Sequence, residues 1–162
     1  MKAERGEDVL ARIQRLEDIE AIKEVKARYG QAADPTMNVD EMMSLFAEDA
    51  VLDIERFSVS EGTAEIRQFM AERGFLWMFH CMIPLFVKVS EDGRTARGGW
   101  KLWELGTMKD EQTGEPEAVW IGGVYDDEFV KEDGEWKFKK VKLKMDLISP
   151  YSEGWAKKRF AF

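Results

Sequence analysis

The stretch Trp77-Met78-Phe79-His80-Cys81-Met82-Ile83-Pro84 holds the single histidine and the single cysteine of this 162-residue chain, set among large apolar residues. Imidazole is the side chain whose unperturbed pKa lies nearest neutrality, so it is the default proton carrier. Here it would leave a strand into apolar surroundings. Two groups suited to orient it or work with it, Tyr29 and Asp34, fall at the end of a helical stretch far upstream. The expectation is a fold that sets Tyr29 and Asp34 beside His80 in a hydrophobic pocket. A histidine in an apolar run also serves as a hydrogen-bonded core residue, and residue types alone leave that reading open.

The elements that would carry these groups follow from periodicity. Over residues 8–33, Leu10, Ile13, Leu16, Ile19, Ile22, Val25 and Tyr29 recur at steps of three or four, which predicts a helix with Tyr29 facing inward. Asp34-Pro35 stops it, because the residue before proline is pushed out of the α region. Short helices are predicted over 39–47 and 63–73, with a strand over 49–54 between them. From Trp77 the apolar period becomes two, giving four long strands: one from Trp77 through Val89, then 95–105, 119–130 and 136–148. Both faces of the first of these are apolar, so it reads as covered on both sides, with Pro84 marking an edge or a bulge. Ala96, Gly98, Trp100, Leu102 and Glu104 share one face of the second. If that face lines the pocket, Glu104 is a further acid or base; otherwise it points outward or is ion-paired. A loop runs through residues 109–116. The lysines that alternate along the fourth strand read as a solvated face. The aromatic tail after Ser149 is expected to fold over a pocket mouth or onto a neighbouring subunit.

Helices followed by antiparallel strands make an α+β order. A strongly bent sheet around the long helix would form a cone, with Gly98-Gly99 and Gly122-Gly123 as bend points. The chain reads as one domain over 1–162, with residues 1–7 and 156–162 as flexible ends. A net charge of −8 argues against nucleic acid, which needs clustered Lys and Arg. No apolar run reaches membrane-spanning length, and the N-terminus leads into a charged helix rather than a signal segment. One cysteine allows no internal disulfide and agrees with a cytoplasmic setting. No Cys and His cluster is present for zinc, and no calcium-loop spacing, so no metal or cofactor is expected.

Several pieces then carry a resemblance: Asp18-Ile19-Glu20-Ala21-Ile22-Lys23 with Lys26-Ala27-Arg28-Tyr29 and Asp34; Phe46-Ala47-Glu48-Asp49-Ala50-Val51; Gly98-Gly99-Trp100; Ile121-Gly122-Gly123-Val124-Tyr125; Asp133-Gly134-Glu135-Trp136-Lys137-Phe138; and Ser149-Pro150-Tyr151. Over nearly its whole length the chain resembles the SnoaL-like branch of the NTF2-like superfamily, within it the scytalone dehydratase, bile-acid 7α-dehydratase and hexachlorocyclohexane dehydrochlorinase group. The resemblance implies an NTF2-like cone-shaped barrel, its helices packed in a strongly curved mixed or antiparallel sheet around an apolar pocket. It also places Tyr29, Asp34 and His80 at the positions of the family's tyrosine, aspartate and histidine. The chain has no second histidine of the scytalone dehydratase kind. Where the dehydrochlorinase carries an arginine on its last strand, this chain has Val141. Assembly as a homo-oligomer, a trimer rather than a dimer, is implied as well.

The chemistry so implied is elimination on a hydrophobic ring compound. A base takes a proton from carbon and a neighbouring group leaves, which needs a pKa near the working pH. His80 would be the base, Asp34 would orient it and stabilise its imidazolium, and Tyr29 would donate to developing negative charge. Glu104 stands as the additional acid or base. Trp77, Met82, Phe86, Trp100, Trp103, Trp120 and Met145 are the expected substrate-binding walls. The same superfamily hosts isomerases, polyketide cyclases and formaldehyde-releasing lyases acting on lignin-derived dimers, and also non-catalytic binding modules.

Overall fold

The helical periodicity is realised as α1 (Lys2–Ala33). The structure is a computed structural model that describes residues 2–34, 38–110 and 113–161, and the side chains from residue 8 onward. Only the second half of the apolar stripe of α1 is covered. Ile22, Val25 and Tyr29 are buried, whereas Leu10, Ile13 and Leu16 are exposed, because the sheet wraps the C-terminal turns alone. Asp34 ends the helix, its N–H shared between the carbonyls of Gly30 and Gln31 at 3.2 Å each. Pro35, the expected stop, lies outside the described residues, as do Glu111 and Gln112 of the expected loop.

A short helix α2 (Val39–Ser44) follows, capped by the Asn38 side chain, which accepts the Glu41 N–H at 3.0 Å. Strand β1 (Phe46–Ile54) begins three residues before the expected start, and the helix expected to run to residue 47 ends at Ser44. Leu45 and Phe46 suit either element by hydrophobicity. Pairing decides: the Phe138 N–H donates to the Leu45 carbonyl at 2.8 Å, and Phe46 lies opposite Phe138. Then come β2 (Ser58–Glu61), too short and polar to show in the sequence pattern, and α3 (Gly62–Glu72). Four long strands complete the chain: β3 (Phe75–Val89), β4 (Thr95–Lys109), β5 (Pro116–Glu132) and β6 (Glu135–Pro150).

The six strands form one sheet in the order β2-β1-β6-β5-β4-β3. The β1–β6 pair is parallel and the others are antiparallel. The sheet curls around α1 without closing, so β2 and β3 are its edges. Two of its several bulges help it curl around the site. One leaves Asp146 unpaired opposite Gly122 and Gly123. There a Cβ on Gly123 would lie 2.5 Å from the Lys144 carbonyl, an approach only glycine permits. The other leaves Leu85 unpaired between Pro84 and Phe86, opposite Gly99 and Trp100. At Gly98 the missing side chain makes room for the Trp100 ring, which a Cβ would meet at 2.1 Å.

As an edge strand, β3 is not covered on both sides as its two apolar faces suggest. Phe79, Ile83 and Leu85 are about half exposed. The described part of the tail leaves these residues exposed. Tyr151 and Trp155 pack instead against Trp120, and Trp155 also against Trp103, on the outer face of the sheet. Residues 159–161 return to Ile148 through two backbone bonds. Among the described residues, no helix is long and apolar enough to cross a membrane.

One feature of the core had no counterpart in the hydrophobic pattern. Lys26 and Asp127 are both buried, their ammonium and carboxylate 2.8 Å apart. The Lys26 Nζ stands over the Tyr125 ring at 3.2 Å from its centroid, with Tyr29 at 4.8 Å and Trp100 at 5.3 Å. Asp127 also accepts the Lys142 N–H at 3.2 Å. Lys26 lies one helical turn before Tyr29, and Asp127 two strand positions after Tyr125. The ion pair and the two phenols are therefore successive rungs between α1 and β5.

Candidate active site

Two elements converge on His80. Because β3 is an edge strand, the His80 N–H has no strand partner on its open side. Asp34, at the end of α1, fills that place. Its carboxylate accepts the His80 backbone N–H at 2.9 and 3.1 Å and meets the ring Nδ1 at 2.6 Å. A carboxylate held this way accepts the Nδ1 proton and leaves Nε2 as the basic nitrogen. On the other side His80 faces Glu104, directly opposite in the β3–β4 ladder. The Nε2 to Glu104 Oε2 distance is 3.4 Å, a close electrostatic contact longer than a formed hydrogen bond. The second Glu104 oxygen, Oε1, is buried and has no hydrogen-bond partner among the described residues. Glu104 thus faces inward on the shared face with Trp100 and Leu102, not outward.

Asp34, His80 and Glu104 form a line along one wall of a cavity of about 100 Å³. Asp34 sits behind, while His80 and Glu104 line the space together with Tyr29, Tyr125 and Arg73. The remaining wall is apolar, including Ile54, Phe69, Met70, Met78, Ile121 and Met145. An engineered apolar cavity of roughly 150 Å³ accepts benzene. The enclosed end here accordingly takes at most one ring, and the rest of a larger molecule must lie in the mouth.

Burial pushes the Glu104 carboxyl up from 4.5 to about 7, against the opposing pull of His80 and Arg73. Burial likewise drives the Tyr29 and Tyr125 phenols well above their ordinary value, so both keep their protons near neutrality. Glu104 retains its proton in the folded state from about 4.5 to about 7, where an unfolded side chain has lost it. The native state then binds more protons than the unfolded one, and stability falls as pH rises across that window. Glu104→Gln should remove this slope. Thermal unfolding on either side of the window checks it, and an unchanged slope would mean that Glu104 titrates normally.

The structure gathers Tyr29, Asp34, His80, Glu104 and Met145 at one site. Six of the expected walls lie elsewhere. Trp103 alternates to the outer face from Glu104, where it stacks on Trp120 at 5.1 Å between ring centroids. Trp77 stacks on Phe79 along the open edge. The Phe86 ring covers Gly99, Met82 packs on Gly30, and Trp100 is sealed in the core beside Lys26. Beyond apolar wall residues, two polar lining residues escaped the sequence reading. Tyr125 shares the inward parity of Ile121 and Gly123, a signal that was legible. Arg73, just past the end of α3, reads as one more surface charge and had none. Among the described residues no group of three His, Cys, Asp or Glu is arranged to hold a metal ion.

The comparisons with known proteins agree with this architecture. Three solved structures illustrate it. One is named as an aromatic ring hydroxylase of Novosphingobium aromaticivorans, at 26% identity and a TM-score of 0.74, over 83% of this chain and 94% of that one. Another is hexachlorocyclohexane dehydrochlorinase LinA-type3 from Novosphingobium barchaimii, at 18% identity and 0.73, over 86% and 94%. A third, from N. aromaticivorans, bears the name of scytalone dehydratase, at 23% and 0.68, over 85% and 90%. No curated protein matches the sequence. The SnoaL-like domain model matches residues 14–142, which is most of the chain, and the protein belongs to that family.

Proposed function

We propose that the protein is a cofactor-independent lyase that removes water from a hydrophobic cyclic or aromatic small molecule. The observation that carries the reading is the Asp34–His80–Glu104 line on the wall of an otherwise apolar cavity. His80 takes the proton from carbon through Nε2, and Asp34 stabilises the imidazolium through Nδ1. Tyr29 donates to the oxygen that gains charge. Glu104, in its protonated form, donates to the departing hydroxyl through its unpartnered oxygen. Names borne by structures of the same fold, dehydrochlorinase and scytalone dehydratase, are of eliminating enzymes and point the same way.

The test is mass spectrometry of products after incubation with hydroxylated ring compounds, without added metal or nicotinamide. Loss of water supports the reading. Loss of formaldehyde from a lignin-type dimer, or an isomer of unchanged mass, keeps the His80 base and replaces the elimination. Ligand retention with no conversion by the protein would favour a binding module, although a buried carboxyl with a spare oxygen has no evident use in one. With Glu104 as the acid, turnover falls as pH rises through about 7. A profile that instead falls below that value would make Glu104 the base.

Self-association belongs to the same proposal. Phe79, Ile83 and Leu85 on β3 and Trp103 and Trp155 beside them are exposed in the single chain. Large apolar patches on an edge strand are covered in stable proteins, and a second and third copy would cover this one. Light scattering should give the mass of three chains, and Phe79→Glu should lower it. A monomer at micromolar concentration would refute the assembly. The single cysteine, unpaired in the structure, fits a cytoplasmic setting.

A further inference from the structure

The wall of the cavity has a gap. Gly74, between the end of α3 and the start of β3, lines it together with Phe57 and Phe75. A Cβ at Gly74 would meet no atom within 4 Å, so nothing fills the wall at that point. Gly74 also lines a second hollow, of about 590 Å³. One side of that hollow is the end of β4 and the start of β5, at Met108 and Val119. The other is the returning tail, from Pro150 to Ala161. The tail is built onto the sheet there. The Ala161 N–H donates to the Ile148 carbonyl at 2.7 Å, and the Ser149 hydroxyl to the Lys158 carbonyl at 2.6 Å. A third hollow, beside Ala33 and Trp77, borders the cavity as well. The residues it shares with the cavity are Met70, Arg73, Phe75 and Met78, each of which brings a large side chain to the partition. Gly74 brings none.

The outer hollow differs from the cavity in chemistry. It sets Lys109 and Lys158 beside the carboxylate residues Asp110, Glu117 and Glu153. The Ser152 hydroxyl donates to Glu117 at 2.6 Å. A fused multi-ring hydrocarbon lying there would strip these groups of water and return no hydrogen bond. A substituent of one net charge would meet groups of its own sign. Hydroxyl groups both donate and accept, so they suit ammonium and carboxylate groups together.

We infer that the cavity and the outer hollow join at Gly74 into one two-compartment site, whose ligand is a single ring bearing a neutral, hydroxyl-rich substituent such as a sugar. The ring lies in the cavity against His80 and Glu104, and the substituent lies in the outer hollow. Gly74 is then a specificity-determining residue, because any side chain there narrows the passage. This deepens the lyase reading and rests on it for what happens to the ring.

The probes are 4-nitrophenyl β-glucoside and, as the ring alone, nitrobenzene. Equilibrium dialysis followed by absorbance gives both affinities without any turnover. The wild-type protein should bind the glucoside about tenfold more tightly than nitrobenzene, as two or three added hydrogen bonds allow. Gly74→Leu should abolish that advantage. The backbone at Gly74 is not left-handed and the place of its side chain is open, so the variant should fold. Ala161→Trp fills the outer hollow at a position that does not line the cavity. It should abolish the advantage too, and leave nitrobenzene binding as in the wild type. Equal affinities for the two probes in the wild type would overturn the inference, as would an advantage that survives both substitutions. Failure of the lyase reading looks different: turnover would survive His80→Ala while the glucoside advantage still depended on Gly74.

Discussion

His80→Ala should lower turnover by about a hundred- to ten-thousand-fold, the range that a positioned acid–base group contributes, and leave the fold intact. The fold is expected to survive because most of what holds this part of β3 is backbone. Asp34 would still accept the residue-80 N–H, and the flanking pairs Phe79–Leu105 and Cys81–Trp103 would still form. Asp34→Asn is the sharper variant. It keeps the size of the side chain and an acceptor for the backbone N–H, but removes the charge that steadies an imidazolium. In serine proteases the equivalent change costs about 10⁴ in turnover, and a loss of that order is expected here. Circular dichroism and thermal unfolding should show both variants folded. Full turnover in both would refute the assignment of His80 and Asp34, whatever the substrate.

Lys26→Met should be the most damaging single change to stability, at about 3–5 kcal/mol. It leaves the Asp127 carboxylate buried at 0% exposure, with the Lys142 N–H still donating to it. The pair itself is a different matter. Burial draws Lys26 down to about 8 and raises Asp127 to about 6, so desolvation outweighs the mutual attraction at both groups. Such a pair adds little net stability over apolar residues of similar volume. Lys26→Met combined with Asp127→Leu should therefore recover most of the loss, and denaturant titration of the single and double variants measures the difference. Additive losses in the double variant would show that the pair is a true stabiliser. Through the rungs it makes with Tyr29 and Tyr125, the pair ties the last turns of α1 to β5.

Much of this arrangement was legible in the residues. The three-and-four spacing from Ile19 to Tyr29 required a helix with the phenol inward, and Asp34 before proline required the chain to leave it there. Alternation along residues 96–104 put Glu104 on the Trp100 face, and Pro84 marked an edge or a bulge. Residue types near an apolar run identified His80 as the proton carrier to examine. The expected walls that the structure places away from the cavity have a common cause. Trp77, Phe86, Trp103 and Trp120 are as apolar as any cavity lining, and composition does not say which side of a sheet faces the helix. The exposed stripe of Leu10, Ile13 and Leu16 failed in the same way, since a helix keeps its periodicity past the point where the sheet stops covering it.

What the sequence determined by itself was the helix, the strands, and the supply of one imidazole with candidate carboxylates and a phenol. What only the tertiary structure decided was which of them meet. The turn at residues 91–93 pairs Phe86 with Gly99, and continued without interruption that register would set His80 opposite Leu105. Between Phe86 and His80 the unpaired Leu85 slips the ladder by one, so that Glu104 stands opposite His80 instead. Asp34 reaches the same imidazole because the open edge of β3 leaves a backbone N–H for it to accept. Arg73 enters the cavity because the end of α3 lies against the end of α1. Each of these depends on register and on contacts between segments distant in the chain, which local periodicity does not encode.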